Sequence, residues 1–342
     1  MATRTVAGRT WHFDKIIGFL SVRGRGLWHP TSVASAPDGT MYVLNSGARP
    51  GCAITVLNME EEFLGEFAED EFSWPEGLAL DGEGNLYCSD GHDHYVAVYA
   101  PDGERIAQWG EEGSSEGQLN SPSGLAFDSD ENLLVVDSLN GRVQKFTKDG
   151  NFISSWGSPG DGEGEFNRPW GITIDSVGDV YVTDWGNDRV QKFSAEGEYL
   201  MRFGSLIDDG GQLSHPADVA VDKDGDVYVA DWGNNRVQIY YPDGDIITSL
   251  NGDARGFSKW AQEFLDSNAD YRAAFQRVDP TDMVELGLFQ RPGGIIIDDA
   301  GHIIISDGIR CRLQVYTKTM TTSSLNSTCN NQRVTSDHAD NH

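Results

Sequence analysis

The chain is poor in basic residues and cysteine, and it has no long hydrophobic run. Its 25 lysines and arginines stand against 54 aspartates and glutamates, so the formal net charge at pH 7 is −29. Proteins that bind nucleic acids or anionic membranes need a basic surface to displace the counterions of phosphate groups. No run of lysine and arginine interrupts the acidic sequence. We therefore expect neither nucleic acid nor a membrane as a partner.

Two further absences bear on location and redox state. No stretch approaches the roughly 18 apolar residues that a membrane-spanning helix needs, and the first twenty residues contain no apolar core typical of a secretory signal. The sequence has only four cysteines, without CxxC spacing, at Cys52, Cys88, Cys311 and Cys329. Scattered cysteines argue against a disulfide framework and against a zinc finger. These features predict a cytoplasmic protein with free thiols.

Glycine, in contrast, is abundant, with 40 of the 342 residues, and this is typical of a chain that turns often. The sequence also repeats. Six units open with a proline, at Pro30, Pro75, Pro122, Pro169, Pro216 and Pro292, with spacings of 45, 47, 47, 47 and 76. Fifteen residues after each proline stand Asn45, Asp90, Asp137, Asp184, Asp231 and Asp307. Five residues further on, four units carry an arginine, at Arg142, Arg189, Arg236 and Arg312.

Each unit contains four short runs of β-branched and aromatic residues separated by Gly, Asp or Asn turns. A four-stranded antiparallel unit repeated every 40–50 residues is typical of a propeller blade. The sequence therefore predicts an all-β, six-bladed β-propeller over residues 1–318. The last unit lacks an outer strand, and the N-terminal segment HFDKIIGFLS matches the missing position. We expect this strand to complete the last blade and close the ring, with the Asp–Arg pairs as repeated structural ion pairs.

Two segments lie outside the blades. The longer spacing before Pro292 leaves an excess of 29 residues over the regular 47, which falls at about 252–288. Aromatic and aliphatic residues near helical spacing predict two short amphipathic helices there, between blades 5 and 6. Residues 319–342 are rich in Thr, Ser, Asn and Asp, and we expect a disordered polar tail.

The units TIDSVGDVYVTDWGNDRVQKF and AVDKDGDVYVADWGNNRVQIY resemble the NHL repeat. The resemblance covers roughly residues 12–318. It is strongest in blades 3–5 and weakest in blade 1, where Asn45 replaces the aspartate. NHL-type propellers serve as lyases, as hydrolases and as interaction modules, so the resemblance predicts the fold more specifically than the activity.

In such a propeller, the residues after each opening proline and the segments after each aspartate share one face, which we call the top face. Ligands of propellers usually sit over the central channel on this face. Glu76 and Asp218 break the repeat there and are the candidate catalytic and metal-binding residues. The candidate ligand-binding residues on the same face are Trp170, Trp185, Trp232, Ser123, His92 and His94.

Two propeller enzyme families provide a test of this site. Peptidyl-hydroxyglycine amidating lyase binds zinc through histidines that follow the blade-opening prolines, and this sequence has no histidine at those six positions. Gluconolactonase-like hydrolases hold a divalent cation with Glu, Asn and Asp. Glu76 in WPEGLAL and Asp218 in HPADVAV are similar, but the Asn partners are absent. The resemblance implies at most one divalent cation (Ca, Zn or Mg) between Glu76 and Asp218.

Two functions remain open. One is a metal-assisted hydrolase or lyase acting on a small molecule in the top-face funnel, with the inserted helices as a lid. The other is a non-catalytic scaffold that binds a peptide or protein on the same face, because no complete catalytic motif is present. The tryptophans and the negative net charge favour a cationic or aromatic small-molecule ligand.

Overall fold

A computed structural model of the chain describes residues 3–46, 51–204, 210–275, 277 and 280–320. Two strands come first, β1 (Thr3–Val6) and β2 (Arg9–Ile17). Blade 1 comprises β3 (Pro30–Ser35), β4 (Met41–Ser46), β5 (Cys52–Leu57) and β6 (Phe63–Phe67). Blade 2 comprises β7 (Pro75–Leu80), β8 (Leu86–Asp90), β9 (Tyr95–Tyr99) and β10 (Arg105–Trp109). Blade 3 comprises β11 (Pro122–Phe127), β12 (Leu133–Asp137), β13 (Arg142–Phe146) and β14 (Phe152–Trp156).

A short parallel pair, β15 (Ser158–Pro159) and β16 (Glu165–Phe166), lies before blade 4. Blades 4 and 5 comprise β17 (Pro169–Ile174), β18 (Val180–Asp184), β19 (Arg189–Phe193) and β20 (Tyr199–Phe203), then β21 (Pro216–Val221), β22 (Val227–Asp231), β23 (Arg236–Tyr240) and β24 (Ile246–Leu250). The insertion contains α1 (Lys259–Ser267), α2 (Ala269–Phe275) and α3 (Pro280–Gly287), and the last blade contains β25 (Pro292–Ile297), β26 (His302–Asp307) and β27 (Arg312–Met320).

The predicted six-bladed propeller is confirmed. The innermost strand of each blade contacts the innermost strands of its two neighbours, so the six antiparallel sheets form a closed ring. Each proline that opens a unit begins an inner strand, because that end of the strand needs no backbone N–H. Within the described residues, the apolar core consists of six clusters, one between each pair of neighbouring blades.

The repeated aspartate anchors each regular blade from within. In blade 4 the buried Asp184 accepts hydrogen bonds from the backbone N–H of Asn167 at 2.7 Å and from the side chain of Asn187 at 2.9 Å. Arg189 Nε donates to the same carboxylate at 2.8 Å. Blades 3, 5 and 6 repeat this Asp–Arg ion pair. The sequence predicted this pair. Because Asp184 and Arg189 are both buried, each charge needs the other as a partner, and this explains why the pair recurs.

The N-terminal strand closes the ring as predicted. Strand β2 pairs with β27 from Arg9 opposite Met320 to Ile17 opposite Leu313. Trp11 on β2 is buried between the last two blades, and its Nε1 donates to Tyr228 Oη at 3.0 Å. The sequence did not predict β1, which folds back on β2 and makes this blade five-stranded.

A charged cluster strengthens this closure. Arg9 Nε on β2 and Lys318 Nζ on β27 both contact the buried Asp226 of blade 5, at 2.6 and 2.8 Å. Lys318 also contacts Asp222 and Asp224. The lysine ammonium thus bridges three neighbouring carboxylates of one turn, and Lys318 and Arg9 together tie both terminal strands to blade 5.

The insertion forms three helices where two were predicted. Helix α1 begins at Ser258, whose hydroxyl accepts from the Ala261 N–H at 3.2 Å, a standard N-cap. The buried Glu61 of blade 1 accepts from the backbone N–H groups of Lys259, Trp260 and Gly18, and so fixes the helix N-terminus against blades 6 and 1. Trp260 is buried in the cluster between those two blades. The helix is therefore held at the junction of these blades.

Three remaining predictions concern the thiols, the tail and the membrane. Cys88 and Cys311 are free, as expected, Cys52 is buried, and Cys329 lies outside the described residues. Strand β27 continues to Met320, two residues into the segment predicted to be a tail, and residues 321–342 lie outside the described residues. Across the part of the chain that the structure describes, no helix is both long and apolar enough to cross a bilayer.

Candidate functional site

A central channel of about 580 Å³ runs along the axis of the ring. Its walls are the six inner strands, β3, β7, β11, β17, β21 and β25. Its mouth lies on the top face, where those strands begin. The mouth carries His29 and Trp74, each directly before an opening proline, and Trp185 and Trp232, each directly after a repeat aspartate. Glu76, Trp170 and Asp218 line the wall just below, so the channel ends in an aromatic funnel.

A circle of side-chain hydrogen bonds joins the inner strands. Each junction between neighbouring blades has one hydrogen bond between a side-chain oxygen and a backbone group. With the donor first, these bonds are Leu78 N to Ser32 Oγ (3.2 Å), Ser89 Oγ to Ser123 O (2.5 Å), Ser123 Oγ to Trp170 O (2.9 Å), Thr183 Oγ1 to Ala217 O (3.2 Å), Ile295 N to Asp218 Oδ2 (2.9 Å) and Ser306 Oγ to Thr31 O (3.4 Å). Inner strands start irregularly at a register shift in every blade. The circle therefore satisfies backbone groups that the sheets leave unpaired.

Asp218 belongs to this circle. Its two carboxylate oxygens accept from the backbone N–H groups of Val219 and Ile295, each at 2.9 Å. A Cβ at Gly171 of blade 4 would overlap Asp218 Oδ1, so glycine is required at that point. Desolvation raises the pKa of Asp218 to about 7. The residue was predicted as a metal ligand and catalytic group, but its hydrogen bonds are those of a bridge between blades 5 and 6.

Glu76 differs from Asp218 in having no such partners. Its side chain is buried in the channel wall of blade 2, and none of the described residues donates a hydrogen bond to its carboxyl group. Burial, aided by the nearby charge of Asp90, raises the pKa of Glu76 well above its ordinary value. The protonated, neutral form of the Glu76 carboxyl is therefore favoured. Such a group can donate a hydrogen bond or a proton to a molecule in the channel.

The aromatic residues of the funnel form one connected group. His215, directly before the Pro216 that opens blade 5, lies between Trp185 and Trp232, with ring centroids 4.2 and 6.4 Å apart. The Arg291 guanidinium lies over the Trp232 ring, 4.3 Å from its centroid. This packing holds the two tryptophans in place, while both still line the mouth.

Three other predicted ligand-binding residues do not line the channel. Ser123 is buried and donates to Trp170 O in the circle. His94 Nδ1 accepts from the backbone N–H of Ser121 at 3.0 Å, which fixes the start of blade 3. His92 is exposed, and its Nδ1 lies 2.8 Å from Asp93 Oδ1. The structure does not bring these side chains together with Glu76 and the tryptophans.

Glu76 and Asp218 do not fit a divalent cation as a pair. They come from blades 2 and 5, on opposite sides of the six-bladed ring. Protein sites for Ca, Zn or Mg gather several oxygen, nitrogen or sulfur donors around one point. Among the residues that the structure describes, no three His, Cys, Asp or Glu side chains are grouped in this way. We derive no reaction step through a metal.

Sequence reasoning missed the residues directly before the opening prolines. They are His29, Trp74, Ser121, Arg168, His215 and Arg291, and all but Trp74 have a positive φ, between 51° and 58°. This left-handed backbone is uncommon for residues other than glycine. The periodic spacing that revealed the prolines could have identified this ring too, since each member is one residue earlier.

Comparisons with known proteins agree with this architecture. The sequence matches the NHL repeat family at residues 119–146, 166–193 and 213–240, in blades 3, 4 and 5. No curated protein matches the chain in sequence.

Several solved structures are similar in fold. A streptogramin B lyase is 14% identical with a TM-score of 0.57, over 90% of this chain and 98% of that chain. A catalytically inactive virginiamycin B lyase from Staphylococcus aureus, solved with quinupristin, is 13% identical with a TM-score of 0.56, over 90% of this chain and 99% of that chain. An auxiliary nutrient binding protein from Bacteroides ovatus is 12% identical with a TM-score of 0.61, over 90% and 77%. Such low identities establish the fold alone. The chain therefore contains NHL repeats in blades 3 to 5 and folds as a six-bladed β-propeller.

Proposed function

We propose that the protein binds a small organic molecule in the funnel at the top of its central channel. The observation that carries this proposal is the combination of a cavity of about 580 Å³ with an aromatic mouth and an unpartnered acid, Glu76. Binding sites for small molecules are typically concave and mostly apolar, with a few polar groups that fix the orientation of the ligand. The volume lies within the usual range for such sites, roughly 300–1,000 Å³.

The residues of the funnel divide into structural and available groups. Asp218 uses both carboxylate oxygens to accept from backbone N–H groups, one of them in the neighbouring blade. Trp170, Trp74 and Glu76 line the channel, and no described residue donates a hydrogen bond to the Glu76 carboxyl. A ligand of the funnel would therefore stack on the tryptophans and accept a hydrogen bond from Glu76.

A catalytic role is favoured by the state of Glu76. A buried acid whose pKa is raised holds its proton to a higher pH than an exposed one, and it can transfer that proton to a leaving group, as general acids do. A lyase or hydrolase reaction in the funnel would use Glu76 in this way, without any step that depends on Asp218. The alternative is a scaffold that binds a peptide or protein on the same face, where the 58% exposed Trp74 would be the first contact.

Titration with N-phenyl-1-naphthylamine, an uncharged probe that fluoresces in apolar sites, tests the binding proposal. We expect saturable binding to the wild-type protein and an affinity at least about tenfold lower in Trp170→Ala, since a buried aromatic contact commonly contributes this much.

The matched control is Trp109→Ala, a half-buried tryptophan on the outer strand of blade 2 that does not line the channel. Its probe affinity should equal that of the wild type at a temperature where both variants are folded. Probe binding that survives Trp170→Ala unchanged, or that falls equally in the control, would contradict the proposal.

A further inference from the structure

The charge around the mouth differs from the charge of the whole molecule. The chain has a net charge of −29, yet the six residues before the opening prolines comprise two arginines, two histidines, a serine and a tryptophan, with no acid. The channel itself is lined by two carboxyl groups, those of Glu76 and Asp218. Burial favours the protonated form of Glu76, and Asp218 accepts hydrogen bonds from two backbone N–H groups. The six residues before the opening prolines are therefore basic or uncharged in an acidic protein, with Asp188 beside His215 as a neighbouring acid.

The two arginines of this ring are free to bind. Arg168 precedes the Pro169 that opens blade 4, and Arg291 precedes the Pro292 that opens blade 6. Both are exposed, and within the described chain neither guanidinium has a carboxylate within 4.0 Å or a side-chain hydrogen bond.

Arg291 is also held in place before any ligand arrives. Its backbone N–H donates to Asn235 Oδ1 at 2.9 Å, and its guanidinium stacks on Trp232 at 4.3 Å from the ring centroid. Stacking uses the face of the guanidinium and leaves the N–H groups at its edge available. Those donors match the geometry of a carboxylate, sulfonate or phosphate oxygen pair.

The third element is Glu76 on blade 2. Glu76 lines the channel wall, whereas the two arginines flank the mouth without lining it. Arg291 lies over Trp232, and Arg168 stands two residues before Trp170, and both tryptophans line the channel. A neutral carboxylic acid donates a hydrogen bond to an anion, whereas an ionised carboxylate would repel it. The tryptophans between these polar groups offer flat apolar surface.

We propose that the ligand of the funnel is an organic anion with a flat apolar body, bound with its anionic group at Arg168 and Arg291 and its body against Trp170, Trp185 and Trp232. This inference rests on the proposed function, because it specifies the class of molecule that the funnel takes. It differs from the cationic ligand expected from net charge, since net charge acts at long range while contact residues select the bound molecule.

A matched pair of probes separates charge from apolar binding. 8-Anilinonaphthalene-1-sulfonate has the same aromatic rings as N-phenyl-1-naphthylamine and adds one sulfonate. The measured quantity is the ratio of the two affinities, determined by fluorescence titration at low salt with the full chain. In the double variant Arg168→Gln/Arg291→Gln we expect the preference for the sulfonate probe to fall about tenfold or more, while the affinity for the uncharged probe stays the same.

The control double variant, Arg4→Gln/Arg202→Gln, changes the net charge by the same amount at positions away from the mouth. Its ratio should equal that of the wild type. An unchanged ratio in the Arg168/Arg291 variant, or an equal fall in both double variants, would overturn the anion inference but leave the proposed function intact. Failure of the uncharged probe to bind the wild type would instead overturn the proposed function, and the inference with it.

Discussion

Blades 3 to 6 differ from blades 1 and 2 in how the residue after the second strand finds its hydrogen-bond partners. In blades 3 to 6, the buried aspartate after the second strand binds an arginine five residues later. Blade 1 has Asn45 instead, whose amide donates to Thr55 Oγ1 at 2.9 Å and whose oxygen accepts from Trp28 N–H at 2.9 Å. Blade 2 keeps Asp90 but has Tyr95 at the arginine position.

The comparison explains the state of Glu76. Asp90 accepts hydrogen bonds from four backbone N–H groups, those of Ser73, Trp74, His92 and Asp93, and no described basic side chain forms an ion pair with it. Its charge is therefore not neutralised locally, and it adds to burial in raising the pKa of Glu76. Of the two blades without the Asp–Arg pair, blade 2 is the one that keeps the aspartate, and it carries the candidate acid.

The largest expected effect is the loss of a regular anchor. Asp184→Ala in blade 4 leaves the buried Arg189 and the N–H of Asn167 without their partner. We expect the free energy of unfolding to fall by about 3–5 kcal/mol, because an unpaired buried charge is costly. Asn45→Ala in blade 1 removes only neutral hydrogen bonds and should cost about 1–3 kcal/mol. Urea unfolding measures both, and equal losses would show that the two kinds of blade do not differ.

The second prediction concerns pH. The pKa of Glu76 is higher in the folded than in the unfolded protein. Above pH 4.5 the unfolded chain therefore loses a proton that the folded chain keeps, and the contribution of Glu76 to stability declines as pH rises. Glu76→Gln removes this decline. The variant should gain stability relative to the wild type between pH 5 and pH 8, by at most about 1.4 kcal/mol per pH unit.

The control for this pH series is Glu104→Gln, an exposed glutamate in the same blade. Its stability relative to the wild type should not change with pH. A flat difference for Glu76→Gln as well would mean that Glu76 ionises normally in the folded protein.

The smallest effect is expected when blade 2 receives an asparagine at position 90, as blade 1 has at position 45. Asp90→Asn removes the charge next to Glu76 and retains one acceptor oxygen. The pKa of Glu76 should fall, though not to its ordinary value, because burial is the larger cause. Infrared difference spectra against Glu76→Gln can follow the carboxyl C=O band with pH. An unmoved titration midpoint would assign the raised pKa to burial alone.

The fold could be predicted because each blade carries its own signals. The proline, the Gly turn and the aspartate recur at fixed offsets, and the missing outer strand of the last blade has a single match at the N-terminus. Strand β1 could not be foreseen, because TRTV is too short and too polar to stand out. The third helix of the insertion, Pro280–Gly287, was also missed, because only two other runs of the insertion were recognised from aromatic and aliphatic residues near helical spacing.

The site was predictable only in part. Glu76 and Asp218 were both noticed as departures from the repeat, but their roles differ because Asp218 meets a backbone N–H 77 residues away in the next blade. The inserted helices were expected to cover the mouth, and no described residue of the insertion lines the channel. Glu61 holds α1 at the junction of blades 6 and 1 instead. Arg168 and Arg291 were missed because two blades separate them along the chain.

The pairing of β2 with β27 also has a consequence for the order in which the protein can assemble during synthesis. Strand β2 leaves the ribosome early, yet its partner β27 is completed only at Met320, which pairs with Arg9. Bringing such distant segments together costs only roughly 3 kcal/mol more in chain entropy than closing a ten-residue loop, because the cost grows by about 0.6 kcal/mol per doubling of length. The time that β2 spends without β27 is therefore a larger obstacle to assembly than the entropy cost of bringing the two strands together. Until translation reaches the final blade, β2 has only the short β1 as a partner and its apolar residues are exposed, while blades 1 to 5 can stack without it.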